Sequence, residues 1–224
     1  MDSIRRANRG NIGRQDISEI SSESVRVEID PEGETADPIV EDYPYSYQTE
    51  YTGTVYYQES SPIPSLSPNE EAISFRYREE SGLFILQGKI DETKSRAILQ
   101  SLNKRLEDEA DDVLMSVSYG RVNLWSFICS ARTQTQIVVR DESGNKLSDE
   151  DIAHLSQREL AQDYSLDQAR AVFYHQGERI NVSYDSGILN FVDSVSSDGK
   201  EYVLQLFEKY VVAGAVLEQF ESLE

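Results

Sequence analysis

Hydrophobic and polar residues alternate most regularly around two turns that lie far apart in the chain. The residues before Ser81-Gly82 alternate, and the run that follows, LFILQGKI, is more continuously apolar. A similar pattern surrounds Ser186-Gly187 in INVSYDSGILNFVDS. Alternation indicates a half-buried strand and a continuous run a more buried one, so each stretch predicts a β-hairpin. Their strand positions are Ile73, Phe75, Tyr77 and Leu83 to Leu86, then Ile180 to Tyr184 and Ile188 to Val192.

An amphipathic helix is predicted after each hairpin. Asp91 is a candidate N-cap of the first helix, whose apolar stripe is Ile98, Leu99, Leu102 and Leu106. Asp198 is a candidate cap of the second, over residues 199–222, with a stripe of Tyr202, Val203, Leu206, Phe207 and Tyr210. This order predicts two β-β-α units. Identities between them are few, and because a hairpin followed by a helix is common, coincidence is the other interpretation.

The chain between these units is predicted to return to strand. The run VLMSVSYGRVNLWSFICSA changes the parity of its apolar positions near Gly120, which indicates a turn or bulge. TQIVVRDESGNKL predicts a further strand and a tight turn at Ser143-Gly144. Residues 70–147 are therefore predicted to form a β-β-α-β-β unit. Residues 148–224 are predicted to form a helical pair, a hairpin and a C-terminal helix.

Residues 1–69 are predicted to form an extended acidic arm with a basic tip. Fourteen acids stand against Arg26 alone between residues 15 and 71, and SSPIPSLSPNEE has the composition of a linker. The tip carries Arg5, Arg6, Arg9 and Arg14, which are candidate nucleic-acid contacts. Within the arm, tyrosines of one parity would share one face of a strand. This strand is either the first of the main sheet or an arm that docks on another subunit through Tyr43, Tyr45, Tyr47, Tyr51 and Tyr57.

The charge balance constrains the environment and the partners. The 224 residues include 41 Asp and Glu against 21 Lys and Arg, a net charge of −20, and only six of the bases are lysines. Such a charge repels nucleic acid and anionic lipid at low ionic strength, whereas at molar salt the Debye length is only about 3 Å. In composition the chain resembles proteins of haloarchaea and their viruses. A mesophilic acidic protein and a DNA mimic are the alternatives.

Residues 148–192 resemble a winged helix-turn-helix. Ser148 with Asp151 begins one predicted helix, Ser165 with Gln168 begins another, and the following hairpin occupies the place of a wing. The resemblance implies that Asp167, Gln168 and Arg170 face the major groove. Ser165 stands where the family has a turn glycine, and the predicted recognition helix has only one arginine. Two packed helices without a nucleic-acid partner are the alternative interpretation.

Catalytic motifs are scarce. The chain has two histidines, His154 and His175, and one cysteine, Cys129, in an apolar run. It contains no nucleophile-elbow, phosphate-loop or His-Glu-x-x-His motif. Acidic pairs such as Asp111-Asp112 could chelate a hard cation, although none has the spacing of a calcium loop. We therefore expect no catalytic residues, no cofactor and no metal.

The sequence as a whole predicts an α+β protein with a mostly antiparallel sheet, packed helices and an extended N-terminal arm. No secretory signal or membrane-spanning stretch is recognisable, so we expect a cytoplasmic or virion location. The function we expect is non-enzymatic assembly through contacts with itself or other protein subunits. A winged helix-turn-helix regulator is the alternative, and a metal-dependent enzyme is the third.

Overall fold

The computed structural model describes residues 2–7, 14–21, 24–58, 70–88, 92–110, 114–115, 120–185, 188–192 and 194–223. The chain divides into two units. The first comprises Met1–Asp37 and Tyr45–Val117, and the second comprises Pro38–Pro44 and Ser118–Glu224. Helices pack with antiparallel sheets, which confirms the predicted α+β class.

The first unit is a sheet with two helices. Its strands are β1 (Asp2–Ala7), β2 (Val25–Ile29), β3 (Glu34–Thr35), β4 (Thr49–Gln58), β5 (Glu70–Arg78), β6 (Leu83–Leu86) and β7 (Leu114–Met115). Its helices are α1 (Arg14–Ser18) and α2 (Glu92–Ala110). The strand order is β2-β4-β5-β6-β1, with β3 paired to β4 and β7 to β1.

One face of this first sheet forms a hydrophobic core with both helices. Alternate residues of β4 and β5, such as Val55 and Phe75, are buried and contact Ile17 of α1 and Leu102 of α2. All four residues of β6 are buried, as its continuous apolar run predicts. The hairpin turn requires a positive φ at Gly82, +66°, which a glycine adopts without strain. The predicted first hairpin is confirmed, and the stripe of the following helix is confirmed at Ile98, Leu99 and Leu102, while the Leu106 side chain lies outside the described part of the chain.

The second unit has the same type of architecture. It comprises α3 (Arg121–Cys129), β8 (Thr133–Arg140), β9 (Lys146–Leu147), α4 (Asp149–Ile152), α5 (Gln157–Asp163), β10 (Ser165–His175), β11 (Glu178–Asp185), β12 (Ile188–Phe191), α6 (Ser197–Phe207), a π-helical turn (Glu208–Val212) and a 3-10 helix (Glu218–Leu223). Strands β12-β11-β10-β8-β9 are neighbours in that order.

Three phenylalanines join the helices of this unit to its sheet. Phe127 of α3 stacks on Phe173 of β10 with 5.4 Å between ring centroids. Its ring also meets Phe207 of α6 edge-on, again at 5.4 Å. Since one side chain contacts both partners, α3 and α6 lie on the same face of the sheet, and the opposite face is left for other contacts.

Three predictions about helices and strands in this unit need correction. The apolar run around Trp125 is helix α3 and not a strand. Five consecutive residues, 124–128, are buried, and a segment buried on all sides shows no period that distinguishes the two structures. The C-terminal helix begins at Ser197 with Ser196 as its cap, so Asp198 lies in the first turn. It ends at Phe207 and not near residue 222.

The boundaries predicted for the arm and the domains also differ from the structure. Residues 25–58 supply β2, β3 and β4 to the first sheet, and the division into two units falls elsewhere than at residues 69 and 147. The segment 38–44 belongs to the second unit, where Gln205 of α6 accepts hydrogen bonds from the Ile39 and Val40 amides at 2.7 and 3.1 Å. The linker at 60–69 and Asp91 lie outside the described residues.

Candidate interaction surface

The sheet of the second unit exposes the face that turns away from α3 and α6. Along β10, the buried residues Ala169, Ala171 and Phe173 alternate with Arg170, Val172 and Tyr174. Strand β11 alternates in the same way. We call the exposed side of this sheet the open face. Its residues are Arg132, Arg170, Val172, Tyr174, Arg179, Asn181, Ser183, Asn190 and Val192.

One end of the open face combines an aromatic ring with two guanidinium groups, and we call it the basic end. Tyr174 lies opposite Arg179 in the register of β10 and β11. The guanidinium carbon of Arg132 lies 5.1 Å from the centroid of the Tyr174 ring, which is within cation–π range. Tyr174 is 43% exposed. This end therefore offers a large amphipathic side chain between two cations.

A short apolar strip lies next to the basic end. Val172 is opposite Asn181, whose carbonyl accepts a hydrogen bond from the Val192 amide at 2.9 Å. Val192 is 53% exposed, and Tyr174, Val192 and Tyr47 are the three large hydrophobic side chains most exposed in the described part of the chain. Two of these three lie together on the open face. Exposed apolar side chains that cluster beside cations are typical of a contact surface.

The arginines of this face have no carboxylate partner among the described residues. Arg132, Arg170 and Arg179 are all exposed, and no described Asp or Glu lies within ion-pair distance of them. Acids outnumber bases two to one in this chain, so arginines without partners are unexpected. An exposed, unpaired cation contributes little to folding stability, which leaves these side chains available for an external group.

Carboxylates gather at the other end of the open face, which we call the acidic end. A concave pocket of about 510 Å³ is lined there by Asp149, Glu150 and Asp185, with Gln168 and Arg170 beside them. Asp149 Oδ1 accepts a hydrogen bond from the Ile137 amide at 2.7 Å, which fixes the start of α4 against β8. Asp185 accepts a hydrogen bond from Gln168 Nε2 at 3.2 Å. The open face thus carries positive charge at one end and negative charge at the other.

The predicted DNA contacts lie on a strand and not on a recognition helix. The prediction of a helix beginning at Ser165 is wrong, because residues 165–175 form β10 between β8 and β11. Gln168 and Arg170 both reach the pocket of the open face. Asp167 is buried elsewhere, where its carboxylate binds Arg140 Nε at 2.8 Å and Lys146 Nζ at 2.6 Å. The capping box at Ser148 is confirmed, but its helix spans only Asp149–Ile152.

The predicted docking tyrosines do not form one exposed face. Tyr57 is buried in the first core, and Tyr51 packs against that core. Tyr43 is buried in the second unit, where its hydroxyl donates a hydrogen bond to Glu208. Tyr45 is half-buried, and Tyr47 alone is well exposed. The alternative prediction, that this stretch supplies a strand of the main sheet, is confirmed for β4.

The arginines of the N-terminal tip are only partly described. Arg5 and Arg6 belong to β1, and Arg9 lies outside the described residues. Arg14 begins α1, with its guanidinium carbon 5.6 Å from the centroid of the Tyr51 ring.

The candidate chemical groups are dispersed. No three His, Cys, Asp or Glu side chains in the described ranges converge as metal ligands would. Burial raises the pKa of the Cys129 thiol to about 12, so the thiolate that a nucleophile requires is scarce at neutral pH. His175 stacks on Tyr202 with 4.6 Å between ring centroids. No described helix is both long enough and apolar enough to cross a membrane.

Fold and surface together define a class, an α+β protein of two sheet-and-helix units with an open, charged sheet face on the second unit. No protein-family model matches the chain. No curated protein matches it significantly.

Sequence reasoning named Gln168 and Arg170 as candidate contacts but missed the other residues of this surface. A signal for them exists in QARAVFYHQGERINVSYD, where Arg170, Val172 and Tyr174 alternate with small or apolar residues. Gln176 and Gly177 then take φ values of +48° and +86°, which fits the two-residue turn of a tight hairpin. Arg132 has no such signal, because it joins the others only through the pairing of β8 with β10.

Proposed function

We propose that the protein is a non-enzymatic assembly component that acts through protein–protein contacts at the open face of its second unit. The observation that carries this proposal is that Tyr174 and Val192 share one exposed sheet surface with three arginines, none of which has an ion-pair partner in the described ranges. Tyrosine and arginine contribute large contact areas and directed hydrogen bonds, and both are enriched where binding energy concentrates.

The composition supports a role in a salt-rich environment. At −20, two copies or a copy and another acidic protein would repel each other strongly at low ionic strength. Molar salt confines this repulsion to a few ångströms and leaves short-range contacts effective. We therefore propose a component of a larger complex or particle in a halophilic setting.

The other two functions have less support. A groove-reading helix at residues 165–175 is replaced by a strand, and Asp149, Glu150 and Asp185 would repel phosphates from the open face. Nothing in the described ranges favours a metal-dependent enzyme. Protein contact is the function that the charges and exposed rings of this face fit best.

Photo-crosslinking in the producing cells tests the proposal. The photoreactive residue p-benzoylphenylalanine replaces Tyr174 in one variant and Tyr47, an exposed tyrosine of the first unit, in the control. We expect position 174 to yield a discrete crosslinked protein several times more abundant than any from position 47. Arg132→Ala with Arg179→Ala should reduce that product. Equal yields from the two positions would overturn the proposal.

A further inference from the structure

The open face is divided by charge along the direction of its strands. Arg132 and Arg179 lie at the hairpin end of β10 and β11, whereas Asp185 lies at the far end of the same strands, beside Asp149 and Glu150. Val172 and Val192 occupy the space between the ends. A surface with opposite charges at its two ends is complementary to a second copy of itself. The copy is related by a 180° rotation about an axis that lies in the plane of the face and runs across the strands.

We propose that the partner of the open face is a second copy of this chain. In this homodimer the two sheets pack face to face, and a two-fold axis places the basic end of each protomer over the acidic end of the other. The inference rests on the proposed function of the open face as a protein contact surface. A two-fold interface uses the same patch twice, so the acidic end of each protomer faces Arg132 and Arg179 of its partner.

Other kinds of partner match the charge of only one end of the open face. A nucleic-acid strand would require a continuous positive track, and the carboxylates at Asp149, Glu150 and Asp185 interrupt it. An acidic peptide would pair with Arg132 and Arg179 but would be repelled at the acidic end. A second copy matches both ends and covers the apolar strip at Val172 and Val192.

The size of the face predicts a weak dimer. Four strands lie about 4.8 Å apart; three contribute about eight residues each and β12 contributes four. At about 3.3 Å per residue they cover roughly 450 Å² per protomer, or roughly 900 Å² in total. Interfaces of this size are typical of transient association. We expect a dissociation constant of about 10–100 μM, measured at a salt concentration that suppresses repulsion between the two net charges.

The experiment uses the purified full chain and two charge-reversed variants. The basic-end variant is R132E/R179E and the acidic-end variant is E150K/D185R, and both alter exposed side chains only. Sedimentation equilibrium over 5–500 μM in about 0.5 M salt measures association, because a Debye length of about 4 Å suppresses long-range repulsion but leaves contact ion pairs effective. Arg121→Glu, an exposed arginine of α3 that does not line the open face, is the matched control.

We expect wild type and Arg121→Glu to dimerise equally, and each charge-reversed variant to dimerise at least tenfold more weakly. An equimolar mixture of the two variants should recover dimers, because the two reversed ends then face each other with opposite charges and the two native ends do the same. A monomeric wild type at 500 μM, or a mixture no more dimeric than its components, would overturn the homodimer. If the homodimer is overturned but the crosslink from position 174 joins the chain to a different protein, the proposed function stands. Only the identity of the partner as a second copy is then wrong.

Discussion

In each unit, strands that follow one another in the chain are also neighbours in an antiparallel sheet. One helix precedes these strands and another follows them. The order is α1-β2-β4-β5-β6-α2 in the first unit and α3-β8-β10-β11-β12-α6 in the second. Strand β3 is inserted in one, and β9, α4 and α5 at the equivalent place in the other. The two predicted β-β-α stretches are thus parts of two longer units that share this order of four strands and two helices, to which the first unit adds β1 and β7.

An arginine lies over a tyrosine at the corresponding position of both sheets. The guanidinium carbon of Arg26 on β2 lies 4.0 Å from the centroid of the Tyr56 ring on β4. The guanidinium carbon of Arg132, next to β8, lies 5.1 Å from the centroid of the Tyr174 ring on β10. In the first unit Arg26 is also ion-paired with Glu28. Arg132 has no carboxylate partner among the described residues. The same scaffold therefore ion-pairs this arginine in the first unit, whereas Arg132 in the second remains free to pair across the proposed contact surface.

Cavity variants in the two cores test whether the units hold their stability separately. Phe127→Ala should remove about 4 kcal/mol of unfolding free energy from the second unit, because the ring is fully buried between Phe173 and Phe207. We expect hydrogen exchange to accelerate in β10 and β11 but not in β4 and β5. Phe75→Ala, in the first core, should give the opposite pattern. Equal acceleration of exchange in both sheets would show that the two units unfold together, and would contradict the view that each holds its stability separately.

Removal of a buried ion pair tests how much the pairing of charges within the first unit stabilises its fold. Arg78 is fully buried and its Nε donates to Glu50 Oε2 at 2.7 Å, while Arg76 Nε donates to Oε1 at 2.7 Å. Glu50→Ala should cost about 3 kcal/mol in urea unfolding, because a buried cation loses its carboxylate. Glu34→Ala, at an exposed position of β3, and Arg179→Ala should each change stability by less than about 0.5 kcal/mol. A similar loss of stability in all three variants would contradict the distinction between the buried ion pair of the first unit and the exposed charges.

Sequence reasoning identified the elements that local signals determine. Both hairpins follow from alternation, and the start of α4 follows from its capping box. It failed at β10 because Ser165 with Gln168 imitates a helix start and the segment contains good helix formers. Strand pairing on both sides overrides that propensity, and only the tertiary structure supplies those neighbours.

The candidate surface was less predictable than the fold. Tyr174 and Arg179 become neighbours through the register of a local hairpin, so a correct strand assignment would have found them. Arg132 and Asp149 reach the open face from other elements, and no local pattern places them there. The predicted tyrosine arm failed for a related reason, since the parity of Tyr51 and Tyr57 indicates a strand but not which face of it is covered.

The segment 38–44 is a feature of the second unit that the first does not share, and Tyr43 tests its contribution. Tyr43 donates its hydroxyl hydrogen to the fully buried carboxylate of Glu208. Tyr43→Phe should lower the free energy of unfolding by about 1–2 kcal/mol, because a charged acceptor loses a donor without a change in packing. Tyr47→Phe, with an exposed ring, should leave the thermal unfolding midpoint unchanged. If both variants unfold at the wild-type temperature, the hydrogen bond contributes nothing.

The second unit also contains one carboxylate that is internally paired, and its pH dependence sharpens the contrast with the open face. Burial favours a higher pKa for Asp167, but hydrogen bonds from Lys146 and Arg140 outweigh it and hold that pKa below its usual value. A depressed pKa stabilises the fold above the unfolded value, about 3.9, and this contribution is lost as pH falls through the folded pKa. Since Arg140 and Lys146 are about half exposed, we expect Asp167→Asn to cost about 1 kcal/mol at pH 7.

The difference between Asp167→Asn and wild type in urea unfolding should shrink at a second, acidic pH, because the native carboxylate becomes protonated as the pH falls through its depressed pKa. Asp185→Asn is the matched control, because Asp185 is exposed and bound only to Gln168 among the described side chains. It should change stability by less than about 0.5 kcal/mol at either pH but weaken dimerisation. If Asp167→Asn costs the same at both pH values, packing and not charge explains its effect. The paired carboxylate would then differ from the open-face carboxylates in burial alone.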